Sequence, residues 1–138
     1  TRIVTFGDVE NGLLQDAEHA GQIMAARIGA VTEGSSPGEL LNTSHRVAVV
    51  LDHEFAWRTS PTGYWTGWAP FEAPFTAADK FKEGEALTLS VCIGMVTMMD
   101  TFLLTDAGLE RLSCDFEGPM RKFRVGEQIL ELPDLIRR

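Results

Sequence analysis

Ala86-Leu87-Thr88-Leu89-Ser90-Val91-Cys92-Ile93 alternates apolar and small polar side chains over its whole length. A strand sends successive side chains to opposite faces, so Leu87, Leu89, Val91 and Ile93 share one face and Thr88, Ser90 and Cys92 the other. The stretch reads as a half-buried strand. The nearly uncharged run it opens, Ala86 to Met99, is too short and too often interrupted to cross a bilayer. Met95 to Leu104 continues in strand-like composition, and Gly94 marks either a tight hairpin or a bulge. Further on, Met120 to Val125 and Gln128 to Leu132 flank Gly126-Glu127 as a terminal hairpin closed by Pro133. At the other end, Arg2 to Phe6 alternates as a short first strand.

Between these strands the period changes. From Leu13 to Ile28, Leu13, Leu14, Ala17, Ala20, Met24 and Ile28 recur at three- and four-residue steps, which predicts an amphipathic helix ended by Gly29 as a left-handed cap. Thr32 to Ser44, centred on Gly34-Ser35-Ser36-Pro37-Gly38, reads as a loop. Arg46 to Trp57 reads as a second helix with Ser44 as N-cap, although Val47 to Leu51 also fits a buried strand. Ser60-Pro61 opens a short aromatic helix or turn, Thr62 to Trp68; Thr76 and Asp79 start another helix to Lys82, with Gly84 just beyond. Thr105-Asp106-Ala107-Gly108 is read as a helical turn carrying Leu109 and Leu112. Segregated helices and sequential hairpins predict an α+β fold: a single two-layer domain over residues 1–138, N-terminal helices packed on a mainly antiparallel C-terminal sheet.

The chain has 138 residues, 44% hydrophobic and 23% charged, the profile of one globular domain rather than a disordered tail. Its net charge of −8 opposes direct association with nucleic acid or anionic membrane and favours a protein partner with a basic surface. The charge is uneven: residues 118–138 hold five cations against three acids, +2, and the remainder sums to −10. Such a contrast is compatible with head-to-tail homo-oligomers. Cys92 and Cys114 are too few for a disulfide framework, and no leader pattern opens the chain, so the expected setting is cytoplasmic with both thiols reduced.

Catalytic motifs are sparse. Asp52-His53-Glu54, with His45 upstream, cannot converge on one ion from a helix, so no metal site is expected. Neither a Gly-x-Ser-x-Gly elbow nor a phosphate-binding loop is present, and no cofactor is implied. The unusual feature is aromatic: Phe55, Trp57, Tyr64, Trp65, Trp68, Phe71, Phe75 and Phe81 concentrate eight of the chain's twelve aromatic residues between positions 55 and 81. They either plug one end of the core or form an exposed platform. On the second reading Trp57, Tyr64, Trp65 and Trp68 are the anchors of a partner-binding surface, with Asp52, Glu54 and Glu72 as its acidic rim.

Two local resemblances bear on origin and class. Phe55-x-Trp57-x-x-Ser60-Pro61-x-Gly63-x-Trp65 resembles a stretch of small phage-encoded proteins, which implies a mobile element. Leu103 to Leu112 resembles the strand-to-helix step after the wing of MarR-like winged-helix regulators, without their basic recognition helix. The leading expectation is a non-enzymatic acidic protein-binding module, of inhibitor, immunity or other phage-accessory type. The alternatives are a small-molecule-binding protein or modest enzyme with an aromatic-lined pocket around His53 or Asp52, and a structural subunit of a phage particle.

Overall fold

Leu87, Leu89, Val91 and Ile93 are each at most 2% exposed, and everything else in the fold is arranged around that buried row. The computed structural model describes residues 4–5, 11–52, 63–66, 74–94, 96–112, 118–134 and 136–137. Strand β3 (Ala86–Ile93) pairs antiparallel with β4 (Val96–Thr105); Ile93 faces Val96, and Gly94 adopts φ 54, so the connection is a tight hairpin rather than a bulge. Strand β2 (Gly63–Trp65) flanks β3 and β5 (Gly108–Arg111) flanks β4, giving one antiparallel sheet in the order β2-β3-β4-β5. Strands β6 (Met120–Val125) and β7 (Gln128–Pro133) form a separate hairpin. Val4–Thr5 (β1) pairs in parallel with Ile136–Arg137 (β8). Helices packed against a mostly antiparallel sheet make this the α+β architecture expected.

Helix α1 (Asn11–Ala30) covers the apolar face of β3 and β4 with Ala17, Ala20, Ile23, Met24 and Ile28. It runs one residue beyond Gly29, which is therefore not its left-handed cap. The reason for glycine there is proximity: a Cβ on Gly29 would collide with Val125, and one on Gly21 would collide with the Phe123 ring. Two glycines thus let the β6-β7 hairpin settle on the helix.

Helix α2 (Pro37–Val50) begins nine residues before the expected Arg46. Ser36, in extended conformation, is its N-cap and Pro37 its first residue. The Glu39 amide donates to Ser36 Oγ at 3.3 Å and the Ser36 amide donates to the Glu39 carboxylate at 2.6 Å, a capping box that satisfies two orphan donors. The Ser36 amide first, then the Ser36 hydroxyl donating to the same carboxylate at 3.1 Å and the charge of Lys80, lower the Glu39 pKa. Ser44 is no cap. It is fully buried in mid-helix, where its hydroxyl donates to the Leu40 carbonyl at 2.8 Å and accepts from Arg27 Nε at 2.7 Å. Arg27 is 1% exposed, and burial lowers its pKa to about 10, so it stays a cation at neutral pH between the two helices.

Three further expectations change. Residues 63–65 are strand, not helix, with Gly63 pressed against the Thr88 carbonyl and the Phe75 ring. Thr76 and Asp79 do bond, amide to carboxylate at 2.7 Å, but they close a turn and no helix follows to Lys82. Thr105 faces Gly108 across a two-residue turn, and Gly108 has φ 110, so β5 replaces the helical turn and the likeness to a winged-helix step ends there. Leu109 and Leu112, three apart, fit one face of a helix, but two residues define no period, and pairing of Leu109 with Leu104 settles the segment as strand.

Gly63→Ala is expected to lower stability by about 1–3 kcal/mol, because the obstacle is backbone, whereas Gly12→Ala, with open space in α1, should raise it by about 0.5–1 kcal/mol; urea unfolding measures both. Glu39→Gln should lower the urea midpoint at neutral pH. A depressed carboxyl pKa stabilises above its unfolded value and is lost as pH falls through its folded one, so the gap between wild type and variant should close on acidification.

Candidate substrate-binding face of the sheet

The polar half of the β3 alternation forms a surface of its own. With Leu87, Leu89, Val91 and Ile93 turned to α1, the residues between them, Thr88, Ser90 and Cys92, lie on the outer face. Register sets their neighbours on β4: Thr101 faces Thr88, Met99 faces Ser90 and Thr97 faces Cys92. On β2, Tyr64 faces Thr88.

Three hydroxyls link across this face. Thr66 Oγ1 lies 2.8 Å from Thr88 Oγ1, which lies 2.9 Å from Thr101 Oγ1. Two hydrogen bonds use two of the three hydroxyl protons, so one O–H always remains for a group outside the row. Because each hydroxyl can rotate, that donor can sit at either end, and lone pairs remain to accept. Such a row suits a ligand that both donates and accepts, as a peptide group does. Beside it, Thr97 Oγ1 donates to Cys92 Sγ at 3.5 Å, and Ser90 is 5% exposed.

On β3 and β4 charge is kept off this face; its acid is at the edge, where Glu110 of β5 faces Leu103. Asp100 alternates to the helix side, where its side chain is 7% exposed and its Oδ2 lies 3.0 Å from Arg111 Nε. The approach is off the N–H line, so the pair attracts as charges rather than as a directed hydrogen bond. Arg111 also donates to the Glu131 carbonyl at 3.2 Å and stands over the Phe102 ring, which clips the sheet to the β6-β7 hairpin. A separate cleft of about 400 Å³ lies between α1, α2 and β6. Its Arg121 is already bridged to Glu18 at 3.1 Å and Asp134 at 3.0 Å, so the groove is stapled shut at that end.

Of the residues expected to bind a partner, Tyr64 and Trp65 are adjacent on β2 and therefore point to opposite faces. Tyr64 belongs to the outer face. Trp65 packs edge-on against Phe75 at 4.9 Å and Phe81 at 5.6 Å, and Phe81 is 1% exposed. Its indole also donates to Asp79, whose pKa is lowered chiefly by the Thr76 amide, then by the Thr76 hydroxyl, and least by Trp65. These rings fill one another's edges instead of lining a pocket. Asp52 is exposed at the end of α2 with φ 60. Trp57, Trp68, Glu54 and Glu72 lie outside the described residues, as does His53. Among the described residues no three His, Cys, Asp or Glu side chains are grouped to hold a metal ion, and no helix is long and apolar enough to cross a membrane.

The chain is similar in structure to a dipeptidase from Pyrococcus horikoshii OT3 and to an Xaa-Pro dipeptidase from Bacillus anthracis. Each match has a TM-score of 0.75 at 16% identity and covers 99% of this chain and 36% of that one. An X-Pro aminopeptidase from Thermotoga maritima MSB8 matches at TM-score 0.72 and 12% identity, again over 99% of this chain and 36% of that one. The chain thus spans about a third of the length of these structures, and the likeness is one of fold. No protein-family model and no curated protein matches it. Neighbours that are peptidases overturn the expectation of a non-enzymatic acidic module of inhibitor, immunity or phage type, and with it the phage-particle and aromatic-pocket alternatives.

Trp65→Ala should lower unfolding free energy by about 3 kcal/mol, since it empties the edge contacts with Phe75 and Phe81. Tyr64→Phe should leave the unfolding free energy within about 0.5 kcal/mol of wild type, measured by urea unfolding.

Proposed function

We infer that this chain is part of a peptidase-like protein acting on short peptides, Xaa-Pro dipeptides first. Its own contribution is the wall of the cleft that grips the substrate. The carrying observation is the Thr66–Thr88–Thr101 row on the outer face of the sheet, with a donor left over for a peptide carbonyl. Support also comes from the peptidase neighbours, which match 99% of the chain. In this reading the outer face binds and the reacting groups lie elsewhere in the protein. A cytoplasmic setting fits the free Cys92 thiol and the absence of a membrane-spanning helix among the described residues.

The expected affinity is modest. At about 0.3 kcal/mol per heavy atom, a dipeptide such as Ala-Pro gains about 4 kcal/mol, a Kd of about 1 mM. Saturation-transfer NMR on the full chain should show saturable Ala-Pro binding near that value, weakened severalfold by Thr88→Val and restored by Thr88→Ser. Thr88→Val keeps the shape and removes the central hydroxyl, breaking both links of the row. Absence of saturable binding to proline-containing dipeptides, or equal binding by wild type and Thr88→Val, would sink the reading.

A further inference from the structure

The donor set of the outer face says how such a ligand is held. Hydrolysis of a peptide bond commonly uses a divalent cation to polarise the carbonyl and activate water. Hard cations need several oxygen ligands, carboxylates above all, and zinc needs imidazole, thiolate or carboxylate. The outer positions of β3 and β4 are Ala86, Thr88, Ser90 and Cys92 facing Leu103, Thr101, Met99 and Thr97: none carries a carboxylate or an imidazole, and Glu110 of β5, facing Leu103 at the edge, is a single carboxylate and not a ligand set. Asp100, the single acid on these two strands, is turned to the helix side and paired with Arg111. Cys92 is a lone thiol already bonded by Thr97, and it has no charged neighbour on this face to stabilise a thiolate. Neutral hydroxyls and a thioether cannot compensate for stripping water from a divalent ion.

Resting on the peptide-binding reading above, we propose that the outer face takes the neutral peptide group of its ligand directly on the Thr66–Thr88–Thr101 row, without a divalent cation. The carbonyl oxygen accepts the one uncommitted hydroxyl proton. A tertiary Xaa-Pro amide, which has an acceptor and no N–H, meets this donor as well as a secondary amide does.

Two titrations of the full chain test the proposal. In the first, substoichiometric Mn²⁺ is added while amide resonances are followed by NMR, and Zn²⁺ binding is measured by calorimetry. Expected are no selective broadening of Thr88, Ser90, Met99 or Thr101 and no Zn²⁺ association tighter than about 100 µM. In the second, Ala-Pro binding is measured in EDTA and in Mn²⁺, with Kd values expected to agree within about twofold. Selective broadening on the outer face, or dipeptide binding only in Mn²⁺, overturns the cation-free proposal and leaves the peptide reading standing. No dipeptide binding in either buffer overturns the peptide reading and direct capture with it.

Discussion

Burial of Leu87, Leu89, Val91 and Ile93 against α1 is the constraint on which the other features depend. A one-residue slip in the pairing of β3 with β4 would turn those four side chains outward and bring Thr88, Ser90 and Cys92 against the helix. The tight turn at Gly94 fixes the register, and the register places Thr101 opposite Thr88. The hydroxyl row is therefore a by-product of core packing: the same alternation that drives the sheet onto α1 aligns the outer polar residues. Each buried leucine contributes on the order of 2 kcal/mol, more than any hydroxyl pair on the outer face can return. The core sets the geometry and the row inherits it.

The second layer is held by a different device. Arg27 lies buried between α1 and α2, and Ser44 receives its Nε–H while donating to the Leu40 carbonyl. A buried cation is costly unless hydrogen-bonded, so this arrangement demands one register between the helices where apolar side chains alone would allow sliding. Gly21 and Gly29 on another part of α1 admit Phe123 and Val125 from the β6-β7 hairpin. One helix thus organises a sheet, a second helix and a hairpin by three kinds of contact.

Long periodic elements were legible from composition alone. The β3 alternation and the spacing in α1 survived contact with the structure because burial and local period agree there. The start of α2 was hidden inside a glycine- and serine-rich stretch, although Ser36-Pro37-Gly38-Glu39 carries a capping box with proline at the first helical position. Gly34 and Gly38 drew attention to a loop when the Ser-to-Glu spacing was the stronger signal. Residues 63–65 and 108–111 went wrong for another reason: short strands at a sheet edge are made by pairing with β3 and β4, and three or four residues show no period of their own. The candidate site was missed because attention went to rare residues. Thr88, Ser90 and Cys92 read as the polar half of a strand, but the Thr88 hydroxyl becomes part of a site only when register brings Thr101 and Thr66 beside it.

The charged side chains are placed with some order. The chain has an excess of eight acids, and many of the carboxylates that can be placed are engaged inside it. Glu39 caps α2, Asp79 closes the turn after β2, Asp100 holds Arg111, and Glu18 and Asp134 share Arg121. Lys122 lies 3.2 Å from Glu131 across the hairpin. Exposed pairs of this kind add little stability and leave the net charge of −8 unchanged. What they do achieve is segregation. With acids assigned to caps, turns, the helix side of the sheet and, in Glu110, its β5 edge, the outer positions of β3 and β4 are themselves uncharged, so what they offer a ligand at short range is hydrogen-bond geometry.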